Sequence, residues 1–279
     1  QVNEGVQAHV HKINIDGNTK THEKVIRREL SIKPGAVFKR SLLLRSLRDV
    51  SYLNFFSNVV PNYDVLESGD IDLNIKVEEK PTGQISFGAG YSERDKVVGT
   101  LGLGIPNLFG TGQSLQLNVD FGKRRNTFQL SYTNPWFKDT PTSVGADIYN
   151  VNRRWFNDFT EETRGVGLRL GKRLYWPDNY FRIFLGYRFE SVRYFDFSDS
   201  YKLRADSIPN SLTKINWPQL TSSTSITIQR DDRNLPQFAT KGSFVSWTGE
   251  LAGGPLAGDW DYQKHVLEAS KYLHTLWKL

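Results

Sequence analysis

The chain has 279 residues, 38% of them apolar and 13% aromatic, which is enough for two ordinary domains or for one domain with a large sheet. It contains no cysteine, which excludes a disulfide framework, thiolate metal sites and a cysteine nucleophile; methionine is also absent. Its 36 basic residues are interspersed with 30 acidic ones, so the net charge of +6 describes a solvated surface and not a nucleic-acid footprint. The opening QVNEGVQAHV has neither the basic start nor the apolar core of a signal peptide. No run approaches the ~18 apolar residues of a transmembrane helix. A transmembrane barrel stays open, because its strands need only roughly 9–11 residues of weak alternation.

Residues 6–18, VQAHVHKINIDGN, alternate Val6, Ala8 and Val10 with polar neighbours and close on the turn signal Asp16-Gly17-Asn18. Residues 21–30, THEKVIRREL, predict a helix capped by Thr21, with Val25, Ile26 and Leu30 on one face and Pro34-Gly35 beyond its end. A second helix is predicted over 41–54, with Ser41 as cap and Leu43, Leu44, Leu47, Val50 and Leu53 along one stripe. Strands at 55–64 and 71–79, joined through Ser68-Gly69-Asp70, complete a β-α-α-β-β unit. Two helices on one face of three strands make a small core, marginal if left alone. This order, with INIDGN, VIRREL, LNFF and VEEKPTG in sequence, resembles a POTRA domain, the periplasmic module of outer-membrane assembly proteins. The resemblance covers residues 1–80.

Past Pro81-Thr82-Gly83 the helical period gives way to alternation. In QISFGAGYS, Ile85, Phe87, Ala89 and Tyr91 oppose Ser86, Gly88 and Gly90; in FRIFLGYRFE, Ile183, Leu185, Tyr187 and Phe189 oppose Arg182, Gly186, Arg188 and Glu190. About ten strands follow this plan, over 83–92, 97–106, 112–122, 126–136, 142–154, 163–173, 179–194, 221–231, 242–252 and 262–276. Alternation alone fits a soluble sandwich with its apolar face packed inward, or a barrel with that face in lipid. Two features favour lipid. Aromatics such as Tyr91, Tyr132, Trp136, Trp155, Trp176 and Trp217 recur near strand ends, as in interfacial girdles. The polar faces are rich in Gly and Arg, which suits a wet lumen. On this reading Leu115, Leu117, Val119, Phe128, Leu130, Val166, Leu168, Ile183, Leu185 and Tyr187 face lipid, and Gln116, Asn118, Arg169, Arg182 and Arg188 face the lumen. The connections GTG, KDTP and WPDN are short and residues 196–219 are long and polar, the asymmetry of periplasmic turns against external loops.

NLFGTGQ (107–113), YTNPWF (132–137) and DDRNLPQFATKGSFVSWTGELAGG (231–254), in that order behind the POTRA-like module, resemble the BamA family of outer-membrane barrel-assembly proteins. The fold class this implies is an α+β POTRA domain followed by an antiparallel transmembrane β-barrel over 81–279. The family pattern has several POTRA modules and sixteen strands. Against it this chain is expected to be a fragment, with one module and an incomplete barrel whose ends, near 84–91 and 262–276, do not pair.

The residues themselves offer little chemistry. His9 and His11 share a strand face without a third metal ligand; His22-Glu23 lacks the second histidine of a zincin helix; Gly102-Leu103-Gly104 is followed by Asn107 where a dinucleotide fingerprint needs glycine. Asp231-Asp232-Arg233 is expected to be a structural cluster. No catalytic constellation, cofactor or metal site is expected. The resemblance implies insertion and folding of outer-membrane proteins, with unfolded client barrels, accessory lipoproteins of the assembly complex and outer-membrane lipid as partners, and no nucleic acid. It also implies the sites. The backbone of Gln84, Ile85, Ser86, Phe87, Gly88, Ala89, Gly90 and Tyr91 would form one side of a lateral gate. Phe56, Ser57, Asn58, Val59 and Val60 would form a POTRA edge strand that takes up extended peptide, with Pro61 fitting an edge location. The alternative is a two-partner secretion pore or related translocator of the same plan, and outside the family a passive porin or a soluble β-rich protein.

Overall fold

The computed structural model describes residues 7–93, 96–234 and 238–273. They fall into two units, the first comprising Gln1–Gln84 with Ile105–Ser114 and the second Ile85–Gly104 with Leu115–Leu279.

The first unit contains β1 (Val10–Asp16), α1 (Glu23–Arg27), α2 (Arg40–Tyr52), β2 (Phe56–Val65) and β3 (Ile71–Glu79). The sheet order is β1-β3-β2, with β1 parallel and β2 antiparallel to the central strand. β3 alternates cleanly: Ile71, Leu73, Ile75 and Val77 are buried, the last three in one core with Val25, Ile26, Leu43 and Val50 from the helices. β1 does not keep the predicted alternation, because a register shift between Val10 and Lys12 makes Ile13 the next buried residue. Val6 lies outside the described residues.

Both predicted helix caps are corrected. α1 is only five residues long with His22 at its cap position, while Thr21 is buried and donates its N–H to Glu79 Oε1 at 2.6 Å. α2 starts at Arg40 behind Lys39, and no side chain caps it. Its stripe also differs from the periodic expectation: Leu44 is 55% exposed, whereas Ser46 is completely buried. Ser46 Oγ accepts from the N–H groups of Ser31 (2.9 Å) and Ile32 (3.3 Å) and donates to the Leu42 carbonyl (2.8 Å). It ties down the segment that leaves α1, a task apolar counting cannot detect.

The NLFGTGQ segment belongs to this unit. His22 N–H donates to the Gly110 carbonyl (2.9 Å), Asn107 Nδ2 to Thr21 Oγ1 (2.9 Å), and Gly112 N–H to Asn107 Oδ1 (2.8 Å). Gly110 has φ +72°, and a Cβ there would lie 1.9 Å from the Lys20 carbonyl oxygen. Close approach and positive φ together require glycine.

The strands of the second unit run in chain order as β4 (Gln84–Ser92), β5 (Lys96–Leu108), β6 (Gln113–Gly122), β7 (Arg125–Asn134), β8 (Thr142–Trp155), β9 (Phe159–Arg173) and β10 (Phe181–Phe195), then α3 (Asp199–Asp206), β11 (Gln219–Asp231), β12 (Gly242–Ala252) and β13 (Tyr262–Tyr272). Every predicted strand is present within a few residues; 274–276 of the last lie outside the described residues. Each strand neighbours the next, and β4 and β13 stand at opposite ends of a ten-stranded sheet that is not closed. Connections 109–112, 135–141, 174–180 and 232–241 share one end; 123–124, 156–158, 196–218 and 253–261 share the other. The longest connection thus lies opposite the short turns named above, but the two-residue turn 123–124 lies beside it. Loop length alone does not sort the ends.

The 196–218 connection is folded, not merely polar. Ser198 caps α3 by accepting from Tyr201 N–H (3.2 Å), Arg204 reaches both Asp158 oxygens at 3.0 Å, and Phe159, Tyr194, Tyr201 and Trp217 pack edge to face. Trp217, expected in an interfacial girdle, instead donates Nε1–H to the Leu212 carbonyl (2.8 Å) within this cluster.

Register defines two faces. One carries contiguous apolar rows: Leu130–Ile148–Val166–Phe189, then Tyr132–Ala146–Leu168–Tyr187, then Val144–Leu170–Leu185–Ile226. Among the described residues no second layer covers them; Leu168 is 53% exposed. The other face carries Gln129–Tyr149–Gly165–Glu190, Ser131–Asp147–Gly167–Arg188–Ser223 and Thr133–Gly145–Arg169–Gly186–Ser225. Apolar outward and polar inward is the barrel arrangement.

Candidate functional site

β4 is the terminal strand of the large sheet, so among the described residues the backbone of Gln84–Tyr91 is paired on the β5 side alone. All eight residues are exposed, Phe87 at 87%. The neighbouring glycines have a steric reason: a Cβ on Gly102 of β5 would lie 2.5 Å from Ser86 Oγ, and one on Gly88 would lie 2.9 Å from Thr100 Oγ1. Gly102, inside β5, is therefore packing space beside the edge strand, whereas a Cβ on Gly104 would meet nothing within 4 Å.

β2 is likewise an edge, and Pro61, opposite Ile75, sits in mid-strand where only an edge tolerates the missing N–H. The five residues singled out from sequence are not equivalent. Phe56 is buried in the core and Val59 packs partly against it, while Ser57, Asn58 and Val60 are exposed. A register shift between Phe56 and Asn58 marks where the ladder is irregular.

The inner face of the second unit borders a hollow of about 730 Å³. Small and large residues interdigitate across it. Tyr149 lies over Gly165, where a Cβ would meet its ring at 2.4 Å, and donates its hydroxyl to Glu190 beyond. Arg169 bonds Asp147 at 2.9 Å and covers Gly145. Glycine here supplies room for polar side chains to lie flat and satisfy one another, a finding the alternation alone did not contain.

The remaining candidates resolve into structural pairs. His11 Nδ1 lies 2.7 Å from Asp72 Oδ1, and His9 lies near Asp70, so the two histidines engage different carboxylates. Among the described residues no group of three or more His, Cys, Asp or Glu is placed to hold a metal. Arg233 grips Asp231 through two 2.8 Å bonds; Arg230 links Asp232 (2.7 Å) to Asp178 (2.9 Å). Asp232 also accepts from Ser243 Oγ at 2.9 Å. This cluster pins the start of β12 to the end of β11. Sequence reasoning missed Glu79, whose two oxygens hold the 19–21 turn: it accepts from Thr19 Oγ1 (2.8 Å), Lys20 N–H (2.9 Å) and Thr21 N–H (2.6 Å).

An α/β module ahead of an open sheet with an apolar outer and a polar inner face defines an outer-membrane barrel protein with a periplasmic module. Family models agree in detail: the Omp85 superfamily domain matches residues 107–279, and the POTRA model, described as surface antigen variable number repeat, matches residues 8–80. The chain belongs to the Omp85 superfamily, and it is an outer-membrane protein whose POTRA module lies in the periplasm. It is 30% identical over 269 residues to the outer membrane protein assembly factor BamA of Nitratidesulfovibrio vulgaris, covering 95% of this chain and 32% of that one. It is 32% identical over 176 residues to BamA of Neisseria meningitidis serogroup B, covering 60% of this chain and 22% of the relative. The chain thus spans a third or less of the length of these relatives. Among solved structures, BamA from Haemophilus ducreyi lacking POTRA domains 1–3 superposes with a TM-score of 0.64 at 22% identity, over 91% of this chain and 50% of that one. CdiB from Acinetobacter baumannii superposes with a TM-score of 0.56 at 14% identity, over 94% and 48%, a likeness of fold alone.

Proposed function

We propose that this chain works in the assembly of outer-membrane β-barrels by templating client strands on the β4 edge. The observation that carries the reading is that β4 terminates the sheet with one side of its backbone unpaired among the described residues. In hydrocarbon each unsatisfied N–H or C=O costs several kcal/mol, so such an edge has a strong demand for a partner strand, and an unfolded client strand has the same demand. Backbone pairing meets both and is indifferent to client sequence. No bond is made or broken. The β2 edge of the POTRA module is the matching periplasmic site, where Ser57–Val60 would hold extended client before it reaches the membrane. Accessory lipoproteins and outer-membrane lipid are the further proposed partners.

The chain lacks cysteine, which makes a direct experiment available. Single cysteines at Gln84, Ser86 and Gly90 are paired with single cysteines along the last strand of a client barrel during assembly in vesicles. Disulfides in one register, with a two-residue period, are expected. Absent or register-free crosslinks along β4, while a control on β9 gives the same yield, would overturn the templating reading. A translocation pore of the same plan would instead show client crosslinks to inner-face positions such as Ser131 and Ser223.

A further inference from the structure

The outer face changes character along its strands. From the apolar row Leu130–Ile148–Val166–Phe189, one step toward the end bearing 196–218 gives Phe128–Asn150–Arg164–Ser191, and the next gives Asn126–Asn152–Glu162–Arg193. A third step pairs Arg154 with Thr160 and Thr160 with Phe195, beside the 123–124 turn, where Arg154 N–H donates to the Arg124 carbonyl at 2.7 Å. In this patch Lys123, Arg124, Arg154, Arg164 and Arg193 outnumber the carboxylates Glu162 and Asp196. Glu162, only 6% exposed, is already held between Arg164 (2.6 Å) and Arg193 (2.7 Å). Arg154 pairs with the exposed Asp196. A cleft of about 260 Å³ opens here, lined by Lys123, Arg124, Asn126, Asn152, Arg154 and Phe195.

Its depth fixes what it can meet. On β10 the apolar series runs from Phe181 to Phe189, ~27 Å along the strand at ~3.4 Å per residue, or ~21 Å along the membrane normal for a tilt of ~40°. That is close to the ~25 Å apolar band of outer-membrane barrels, so the rows beyond Phe189 stand at headgroup level. They stand at the end opposite that at which the chain passes from the periplasmic module into β4 at Gln84, and so at the outer leaflet.

We propose that this cleft binds a phosphate-bearing headgroup of an outer-leaflet lipid. Lys123 and Arg154 supply the charge, the Asn126 and Asn152 amides add hydrogen bonds, and the acyl chains continue over Phe128 and Ile148. Arginine carries five donors, so Arg154 can serve a phosphate while its pairing with Asp196 limits affinity. Continuity of cleft and apolar band on one face selects a lipid over a soluble anion.

The test uses the full chain in phosphatidylcholine nanodiscs doped with a bisphosphorylated glycolipid, its dephosphorylated form, or free inorganic phosphate, with retained lipid counted by mass spectrometry. The phosphorylated lipid is expected to be retained selectively. K123Q/R154Q should weaken retention roughly tenfold or more, K123R/R154K should keep it, and D196N should strengthen it. K138Q, in the 135–141 turn at the other end, should leave it unchanged. Should the double variant fail to fold, K123Q alone and D196N decide. Equal retention of the dephosphorylated lipid, equal binding of inorganic phosphate, or no response to K123Q and D196N would overturn the proposal.

Discussion

Replacing Glu79 with Gln tests how the POTRA module holds its 19–21 turn. The carboxylate accepts from Thr19 Oγ1, Lys20 N–H and Thr21 N–H. Burial pushes its pKa up, but the bonds from Thr21, Thr19 and Lys20 outweigh that and bring it from 4.5 down to about 2. At face value that displacement corresponds to ~3.4 kcal/mol; the carboxylate is only partly buried, and solvent screening reduces its contribution to about 1 kcal/mol. Because the folded pKa is depressed, this stability is fully present above about pH 4.5 and is lost as pH falls towards 2. Glu79→Gln removes the charge at every pH. It should therefore cost about 1 kcal/mol at pH 7 and converge with the parent near pH 2. The assay is amide NMR of the detergent-solubilised chain: the Thr21 N–H resonance should titrate with a midpoint near 2, and hydrogen exchange at Leu73 and Ile75 should quicken severalfold in the variant at pH 7. A Thr21 midpoint near 4.5, or unchanged exchange at pH 7, would refute the reasoning.

Ser46→Ala leaves the Ser31 and Ile32 N–H groups without their acceptor in a buried setting, so a loss of ~2–4 kcal/mol is expected, seen as accelerated exchange at Ile32. Leu168→Arg places a charge mid-row on the outer face between Ala146 and Tyr187 and should cost ~2–4 kcal/mol in urea titrations in phospholipid vesicles. Ser131→Arg, on the inner face, should cost far less; equal costs would reverse the assignment of the faces.

Much of this protein was legible before folding was considered. Strand positions follow from a period of two that each segment carries in its own residues, and β3 and β12 were located with their bounds correct. Where a local pattern was overridden, a distant partner was responsible. Thr21 has the chemistry of a cap, yet Glu79, 58 positions away, takes its N–H and Asn107, 86 positions away, donates to its hydroxyl. Leu44 fits the apolar stripe of α2, but the core surface available to the helix places Ser46 inside instead.

The sequence by itself determined that an α/β module precedes alternating strands, and the motifs NLFGTGQ and YTNPWF tied those strands to a family. Alternation could not say which face meets what, because inverting the sheet leaves the pattern unchanged. Register and topology decided it: among the described residues no layer packs over Val166, Leu168 and Leu170, and Tyr149, Arg169 and Glu190 converge on the other side. The same holds for the edges. Gln84–Tyr91 resembles any of its neighbouring strands in composition, and only its place at the end of the hydrogen-bonded order leaves its backbone in need of a partner.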